Sequence, residues 1–297
     1  KNHFEKFKVV FVRFGGETME DNWIIENLEQ ALSTWNSKLS EIWELLSLSL
    51  EEFKGGGIWQ IVVGINEAMQ AVGLGLIILF FAMSIFKSSM TFRDFKRPEQ
   101  ILHYFIRFVA AKAAVTYGME LMTTIFAICA GIISAAAGDL SGINQTVLIL
   151  PEEIKTAVAE VGFLASIPLW IVTILGSVFI TVLSFVMILT VYGRFFRMYM
   201  YTAFAPLPLA SFAGEMTANM GKSFVKNYVG VCLEGAVIVL ACVIFSAFVI
   251  NGEVVINGAN SAVAIVWGYL VENIFNMLVL VGLVKGSDRI VKEIFGL

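Results

Sequence analysis

The sequence predicts an all-α fold: a polytopic integral membrane helical bundle with about five transmembrane helices, a broken re-entrant or interfacial segment and an N-terminal amphipathic helix. The chain is 58% hydrophobic and only 15% charged, whereas a soluble domain carries about 25% charged residues. No Asp, Glu, Lys or Arg occurs in the 33 residues from Val161 to Gly193 or in the 18 residues from Leu121 to Gly138. Uncharged windows of about 18 or more residues are typical of transmembrane helices.

Apolar windows bounded by charges locate the individual spans. The predicted spans cover roughly residues 68–86, 113–138, 162–193, 227–250 and 259–284. The segment 198–226 contains Pro206 and Pro208, and each proline removes a backbone donor and interrupts helical geometry. Because hydrocarbon tolerates such a break only where protein or water satisfies the freed carbonyls, we predict that this segment is re-entrant or interfacial.

The chain before the first span has a different pattern. Residues 20–53 repeat apolar side chains at helical spacing, and the remaining face is rich in acidic residues. This periodicity is typical of an amphipathic helix, and the glycines of "KGGG" at 54–57 end it. Its tryptophans suit a membrane–water interface or a groove on a partner.

These patterns divide the chain into three parts. Gly15, Gly16 and Glu17 lie just ahead of Met19, and their codons can form a ribosome-binding sequence. We therefore expect 1–18 to be leader sequence or a disordered start. Residues 19–57 are predicted to form an extracytoplasmic amphipathic helix, and residues 58–297 the transmembrane helical domain.

The distribution of charge predicts the topology. Basic residues concentrate in 87–99, in 194–226 and in the tail after residue 284, whereas 139–160 holds four acidic residues and one lysine. Basic loops favour the cytoplasm. If 198–226 does not cross the membrane, all three basic regions lie on the same side. The prediction is a multi-pass protein of the bacterial cell membrane with its N-terminus outside and its C-terminus in the cytoplasm.

Several function classes lack support in the sequence. HExxH, P-loop, GxGxxG and GxSxG motifs do not occur, and His3 and His103 are the only histidines. The net charge of −4 gives no overall basic surface for nucleic acid. The three cysteines lie in apolar windows without metal-ligand spacing. We therefore predict a protein that is not an enzyme, with no catalytic site, metal site or cofactor.

Polar residues at membrane depth are the remaining candidates, because each charge there costs about 2.5–3.5 kcal/mol. Glu272 lies in the middle of the last predicted span, with Asn273 adjacent and Asn276 one helical turn further on. This group predicts either a polar lining or subunit contact, or a glutamate that is hydrogen-bonded between helices. Glu234 and Glu120 lie closer to the predicted ends of their spans and are weaker candidates of the same kind.

A second set of candidates forms a cytoplasmic rim. Pro98 suits the first turn of a helix, and counting back about 20 residues from Gly138 puts the hydrocarbon boundary near Met119. The helix before that boundary is then a basic cytoplasmic extension, with a channel-lining group as the alternative. The rim candidates are His103, Arg107, Lys112, Arg194 and Arg197.

Two adjacent stretches resemble a known family. They read "GGGIWQIVVGINEAMQAVGLGLIILFFAMSIFKS" and "FKRPEQILHYFIRFVAAKAAVTYGMELM", and they resemble TrbL-like proteins of conjugative type IV secretion systems, particularly those on mobile elements of Gram-positive bacteria. The resemblance is clearest over about residues 55–138 and extends more loosely through "RFFRMYMYTAFAPLPLASFAGE". These patterns of glycine, Arg-Pro and Tyr-Gly specify a family and no reaction.

The resemblance implies a channel or scaffold subunit that helps DNA–protein substrate cross the cytoplasmic membrane. It also implies a homo-oligomeric ring in the lipid bilayer, other secretion subunits including membrane-docked ATPases as partners, and transient contact with transferring DNA or its relaxase. The alternative from another class is a small-molecule transporter or ion channel with a midplane site around Glu272.

Overall fold

The computed structural model describes residues 23–90, 98–138, 147–159, 163–251 and 262–296. Within these ranges the chain is helical and contains no strand. The helices are α1 (Trp23–Ser47), α2 (Gly57–Met90), α3 (Pro98–Thr116), α4 (Gly118–Gly138), α5 (Glu152–Ala159), α6 (Phe163–Phe204), α7 (Pro206–Ala210), α8 (Ala218–Asn251) and α9 (Ala262–Phe295). Short 3₁₀ helices cover Phe53–Gly56 and Ser211–Ala213.

Five of the described helical segments are long and apolar enough to cross a membrane. They are Phe53–Phe86, Gly118–Ala135, Ile167–Phe204, Ala218–Ala247 and Val263–Phe295. The predicted all-α polytopic bundle with about five spans is therefore confirmed. The predicted start of the second span at residue 113 differs from the structure, because the helix is interrupted at Tyr117 and the apolar segment begins at Gly118.

The predicted break is present but shorter than the segment 198–226. Helix α6 continues to Phe204 and α8 begins at Ala218, so the irregular part is confined to residues between them. Pro206 begins the short helix α7, a position where its missing N–H costs no helical hydrogen bond. The backbone nevertheless stays hydrogen-bonded, with Leu209 N–H donating to the carbonyl of Ala205 at 3.1 Å.

The described residues form two compact units. The first comprises the described parts of Lys1–Trp43, Leu140–Leu189 and Ala241–Lys285. Its core includes Trp35, which is fully buried and lies 6.1 Å from the ring of Phe245. The amphipathic pattern of α1 thus buries its apolar face inside the protein.

Polar contacts in the first unit fix the chain before α6 against α1. The side-chain amide of Asn36 donates to the carbonyl of Leu148 at 2.9 Å and accepts from its N–H at 3.0 Å. Lys155 lies 3.0 Å from Glu29 and 3.1 Å from Glu152. These two hydrogen bonds raise the pKa of Lys155 above its ordinary value. The contribution of this half-buried lysine is therefore present at neutral pH and is lost only as pH rises through that raised pKa.

The second unit comprises the described parts of Glu44–Asp139, Thr190–Leu240 and Gly286–Leu297. In it α2 and α3 run antiparallel, because Gln70 donates to the carbonyl of Thr116 at 2.9 Å while the rings of Phe81 and Phe108 lie 4.9 Å apart. The short helix α7 packs on both α2 and α3. Gly73 makes this packing possible, since a Cβ atom there would lie 2.8 Å from the carbonyl oxygen of Pro206.

The predicted division at residue 57, into an extracytoplasmic helix and a transmembrane domain, stays a prediction. Residues 1–18, expected to be leader sequence or a disordered start, lie outside the described residues.

Candidate functional site

Arg194 is a buried cation held by backbone carbonyls. Its residue is 1% exposed on α6. Its Nε donates to the carbonyl of Val231 at 3.1 Å, and its Nη2 donates to that of Cys232 at 2.8 Å. Hydrogen bonds that involve a charged group contribute about 1.5–3 kcal/mol each. Because both carbonyls belong to α8, Arg194 joins α6 to α8.

Gly235 provides the space for this arginine. A Cβ atom at residue 235 would lie 2.8 Å from Cζ and Nη1 of Arg194 and 2.6 Å from Cδ1 of Ile133 on α4. Such short contacts would force Arg194 or its neighbours to move. Three helices therefore approach one another closely at a glycine, and the guanidinium lies where they meet.

Arg197 links acidic side chains from two other helices. Its Nη2 lies 2.6 Å from Oε2 of Glu234 on α8, and its Nη1 lies 3.3 Å from Oδ1 of Asp288 on α9. Asp288 also bonds Lys292 at 2.9 Å. Glu234 is 1% exposed, whereas Arg197 is about one-third exposed. Because Arg194 and Arg197 are three residues apart, they project from neighbouring positions on one face of α6.

The arrangement is suited to joining helices. Each of the two arginines reaches from α6 to a different part of α8, and the second also reaches the end of α9. We refer to Arg194, Arg197, Glu234, Gly235 and Asp288 as the buried polar cluster. Oε1 of Glu234 is buried without a hydrogen-bond partner among the described residues. Breaking a buried ion pair by removal of one partner is costly, so these contacts hold the three helices together.

The structure brings together only some of the predicted residues. Of the rim candidates, Arg194 and Arg197 lie in the buried polar cluster with Glu234, which had been predicted separately. Arg194 is enclosed by protein. Its predicted role in a cytoplasmic rim and the predicted role of Glu234 in a subunit contact stay predictions.

The predicted group around Glu272 lies in the first unit. Glu272 is exposed on α9, and Asn276 is half-buried. The amide of Asn273 donates to the carbonyl of Tyr269 within the same helix at 2.8 Å. Leu270 of α9 packs closely on Gly176 of α6: a Cβ atom at residue 176 would lie 2.8 Å from Cδ1 of Leu270. Glu272, two residues after Leu270, therefore lies beside the middle of the uncharged run of α6, residues 161–193.

The other predicted residues lie in the second unit but do not belong to the buried polar cluster. Glu120 is exposed in the first turn of α4, and His103 and Lys112 are exposed on α3. Arg107 is half-buried, and its Nη1 lies 3.7 Å from Oε2 of Glu215. Their predicted roles as polar or rim residues stay predictions.

Asp288 and Gly235 were not identified from the sequence. Asp288 lies in a C-terminal region rich in basic residues. Its spacing of four residues from Lys292 was the sequence feature that could have indicated an ion pair on a helix. Gly235 follows Glu234 directly, but one glycine in a transmembrane window does not indicate which side chain approaches it. Across the described ranges, no group of three or more His, Cys, Asp or Glu residues could hold a metal ion.

Comparison with protein families identifies the kind of protein. A family model described as TrbL/VirB6 plasmid conjugal transfer like protein matches residues 35–206. The match covers more than half of the chain. The chain belongs to this TrbL/VirB6-like family. The matched region begins within α1 and ends at the first proline of α7, so it includes three of the five candidate spans in full.

The family match and the five apolar helices together describe a multi-pass membrane protein related to plasmid conjugal transfer proteins. Neither the comparison with curated proteins nor the comparison with solved structures gives a match.

Proposed function

We propose that this protein is a channel or scaffold subunit in the cytoplasmic membrane of a conjugative type IV secretion system, where it helps DNA–protein substrate cross the membrane. The observation that carries the proposal is the TrbL/VirB6-like match over residues 35–206 in a chain with five candidate spans. The sequence has no P-loop motif, which agrees with a subunit that supplies a conduit or support while separate ATPases supply the energy.

The proposed assembly is a homo-oligomeric ring in the lipid bilayer. Its partners are the other secretion subunits, including membrane-docked ATPases, with transient contact to transferring DNA or relaxase. The basic regions 87–99, 194–226 and 285–292 support a cytoplasmic C-terminus and an outward N-terminus under the positive-inside rule. They also offer positive charge to acidic surfaces of cytoplasmic partners.

Transfer from a donor that lacks this gene tests the proposal. We expect an in-frame deletion to reduce conjugative transfer by orders of magnitude, and the wild-type gene supplied in trans to restore it. The matched control is a plasmid that carries the same gene with an early stop codon. Normal transfer from the deletion donor would refute the proposal.

Crosslinking separates the channel from the scaffold. Formaldehyde treatment of conjugating donors, followed by immunoprecipitation of an epitope-tagged copy, should recover the transferring strand if the subunit contacts the substrate. A donor whose relaxase cannot nick the plasmid provides the control, because it contains the same DNA without transfer. Recovery limited to other secretion subunits would favour the scaffold.

The transporter or ion-channel alternative is not favoured by a specific observation. It depends on Glu272, which is exposed, and on Asn273, which bonds within its own helix. Among the described residues no ion pair to Glu272 is present, so the midplane site stays a prediction.

A further inference from the structure

The part of α9 before Lys285 has one buried face and one exposed face. On the buried face, Val266, Leu270 and Met277 are each no more than 1% exposed, which fixes the orientation of the helix. Five exposed residues follow one another in alternate steps of four and three, and we call them the α9 seam: Gly268, Glu272, Phe275, Val279 and Gly282. Residues at such steps lie on one side of a helix, and this is the spacing along which two helices pack.

Glu272 lies at the middle of the span that α9 forms. The helix begins at Ala262, and the next charged residue after Glu272 is Lys285. The 23 residues from Ala262 to Val284 extend about 35 Å at helical rise, compared with about 30 Å for the hydrocarbon core of a bilayer. Glu272 is the eleventh of these residues and the only charged one. This placement depends on α9 alone and on no neighbouring helix.

The α9 seam fits neither lipid nor water along its length. A carboxylate at membrane depth is unfavourable against lipid. Phe275 is 62% exposed and Val279 is 49% exposed, and apolar side chains are unfavourable against water. Because they lie one and two turns from Glu272 on the same side of α9, the three side chains share one environment. A packed helix of another protein chain suits all of them, since it contacts the apolar groups and offers hydrogen bonds to the carboxyl group.

Two polar side chains at this level are available to such a helix. Among the described residues, neither Glu272 nor Asn276 forms a hydrogen bond or an ion pair, whereas the amide of Asn273 donates to the carbonyl of Tyr269 within α9. Asn276 lies one turn after Glu272, beside the seam, and side chains on a helix lean toward its N-terminus. The amide of Asn276 therefore leans toward the level of Glu272, and a donor and an acceptor are presented together.

A second copy of α9 meets these requirements. Copies that enter the membrane with the same topology are related by an axis along the membrane normal, so their α9 helices run parallel and in register. Gly268 and Gly282 then each lie opposite their own counterpart. A Cβ atom at either position would meet nothing within 4 Å, so packing within the described chain does not require these glycines. Small residues on a membrane helix allow a second helix to approach closely.

We propose that α9 packs along the α9 seam against α9 of a second copy, with the amide of Asn276 in one copy donating to the carboxyl group of Glu272 in the other. The inference deepens the proposed function, because it assigns the contact between copies in the proposed ring. It rests on that function only for the role of this contact in transfer. Lipid and a helix of another secretion subunit are the other candidate occupants, and crosslinking distinguishes them.

Disulfide crosslinking at two adjacent residues tests the α9 seam. Val279 lies on the seam, whereas Leu278, which is 51% exposed against 49% for Val279, points about 100° away around the helix. Val279→Cys and Leu278→Cys are produced separately in cells that carry no other secretion gene, and isolated membranes are oxidised with copper phenanthroline. Wild-type protein gives the background, because its three cysteines are buried.

The yield of disulfide-linked dimer decides the occupant. We expect Val279→Cys to give several-fold more dimer than Leu278→Cys. Equal yields from the two variants would indicate random collision in the membrane and would overturn the proposal. A yield from Val279→Cys no higher than the wild-type background would assign the seam to lipid or to another subunit and would also overturn it.

Substitution of Glu272 in the Val279→Cys protein tests the polar contact. We expect Glu272→Leu to lower the dimer yield several-fold and Glu272→Gln to retain most of it, because a glutamine side chain still accepts a hydrogen bond from Asn276. Thermal unfolding of the same Glu272 variants without the added cysteine checks that they fold. An unchanged dimer yield in Glu272→Leu would overturn the contact between Glu272 and Asn276. Because no DNA transfer is measured, failure here is distinct from failure of the proposed function.

Discussion

Replacing Gly73 by alanine should destabilise this protein, whereas Gly75→Ala should not. Both glycines lie on α2, two residues apart. A Cβ at residue 73 would lie 2.8 Å from the carbonyl oxygen and 3.2 Å from Cβ of Pro206, whereas a Cβ at residue 75 meets nothing within 4 Å. The obstacle is the backbone of the proline break, which cannot rotate away as a flexible side chain would.

The magnitude follows from two opposing terms. Forcing extra atoms into a packed site costs about 1–3 kcal/mol, and the upper half applies here because the contact is with backbone. Alanine in a helix interior is favoured over glycine by about 0.8–1 kcal/mol. We therefore expect Gly73→Ala to lose about 1–2 kcal/mol net and Gly75→Ala to be neutral or to gain up to about 1 kcal/mol.

Thermal unfolding of the detergent-purified protein measures this difference. Cys129, Cys232 and Cys242 are free and buried, so a dye that fluoresces on reaction with thiols reports their exposure without any added label. Gly73→Ala should unfold several degrees below Gly75→Ala at the same heating rate. Equal unfolding temperatures for the two variants would refute the close packing of α7 on α2 at Gly73. A lower unfolding temperature for Gly75→Ala than for Gly73→Ala would refute it as well.

Two further predictions concern the buried polar cluster. Gly235→Ala should lower the unfolding temperature, because it displaces Arg194 from two charge-assisted hydrogen bonds. A higher unfolding temperature, which the helix propensity of alanine alone would give, would contradict this prediction. Arg197→Ala leaves Glu234 buried without its ion-pair partner and should cost about 3 kcal/mol, the low end for a broken buried pair. The control Arg289→Ala removes an exposed pair on α9 and should change stability by less than about 1 kcal/mol; equal losses in the two variants would contradict the difference in burial.

The number of spans could be predicted from the sequence because hydrocarbon penalises charge. Uncharged windows such as Val161–Gly193 therefore mark the helices directly. Pro206 likewise predicted the break, since its missing N–H and fixed geometry act locally. The extent of the break was predicted too broadly, because basic residues on either side do not prevent helix formation.

The partner of each helix was not predictable in the same way. The pattern of α1 shows that one face must be buried. It does not specify α6 as the helix alongside, where the ring of Trp170 lies 5.6 Å from that of Trp23. Arg197 and Glu234 are separated by 36 residues in the chain, and either could have paired with another charge. The packing role of Gly73 depends on its contact with Pro206, which lies far away in the sequence. Such contacts depend on the tertiary arrangement, which a single sequence does not encode in any local pattern.

Polar residues in this membrane protein thus fall into two physical classes. Arg194 and Glu234 are almost completely enclosed, and the chain's own carbonyls and Arg197 bind them, so their burial is compensated internally and they stabilise the bundle. Glu272 is instead exposed on α9, beside the uncharged run of α6, so the chain itself does not enclose its carboxylate. Water or a neighbouring subunit would accommodate such a carboxylate at far lower cost than lipid. The enclosed class is therefore expected to determine stability, and the exposed class is where transfer is expected to fail without loss of folding.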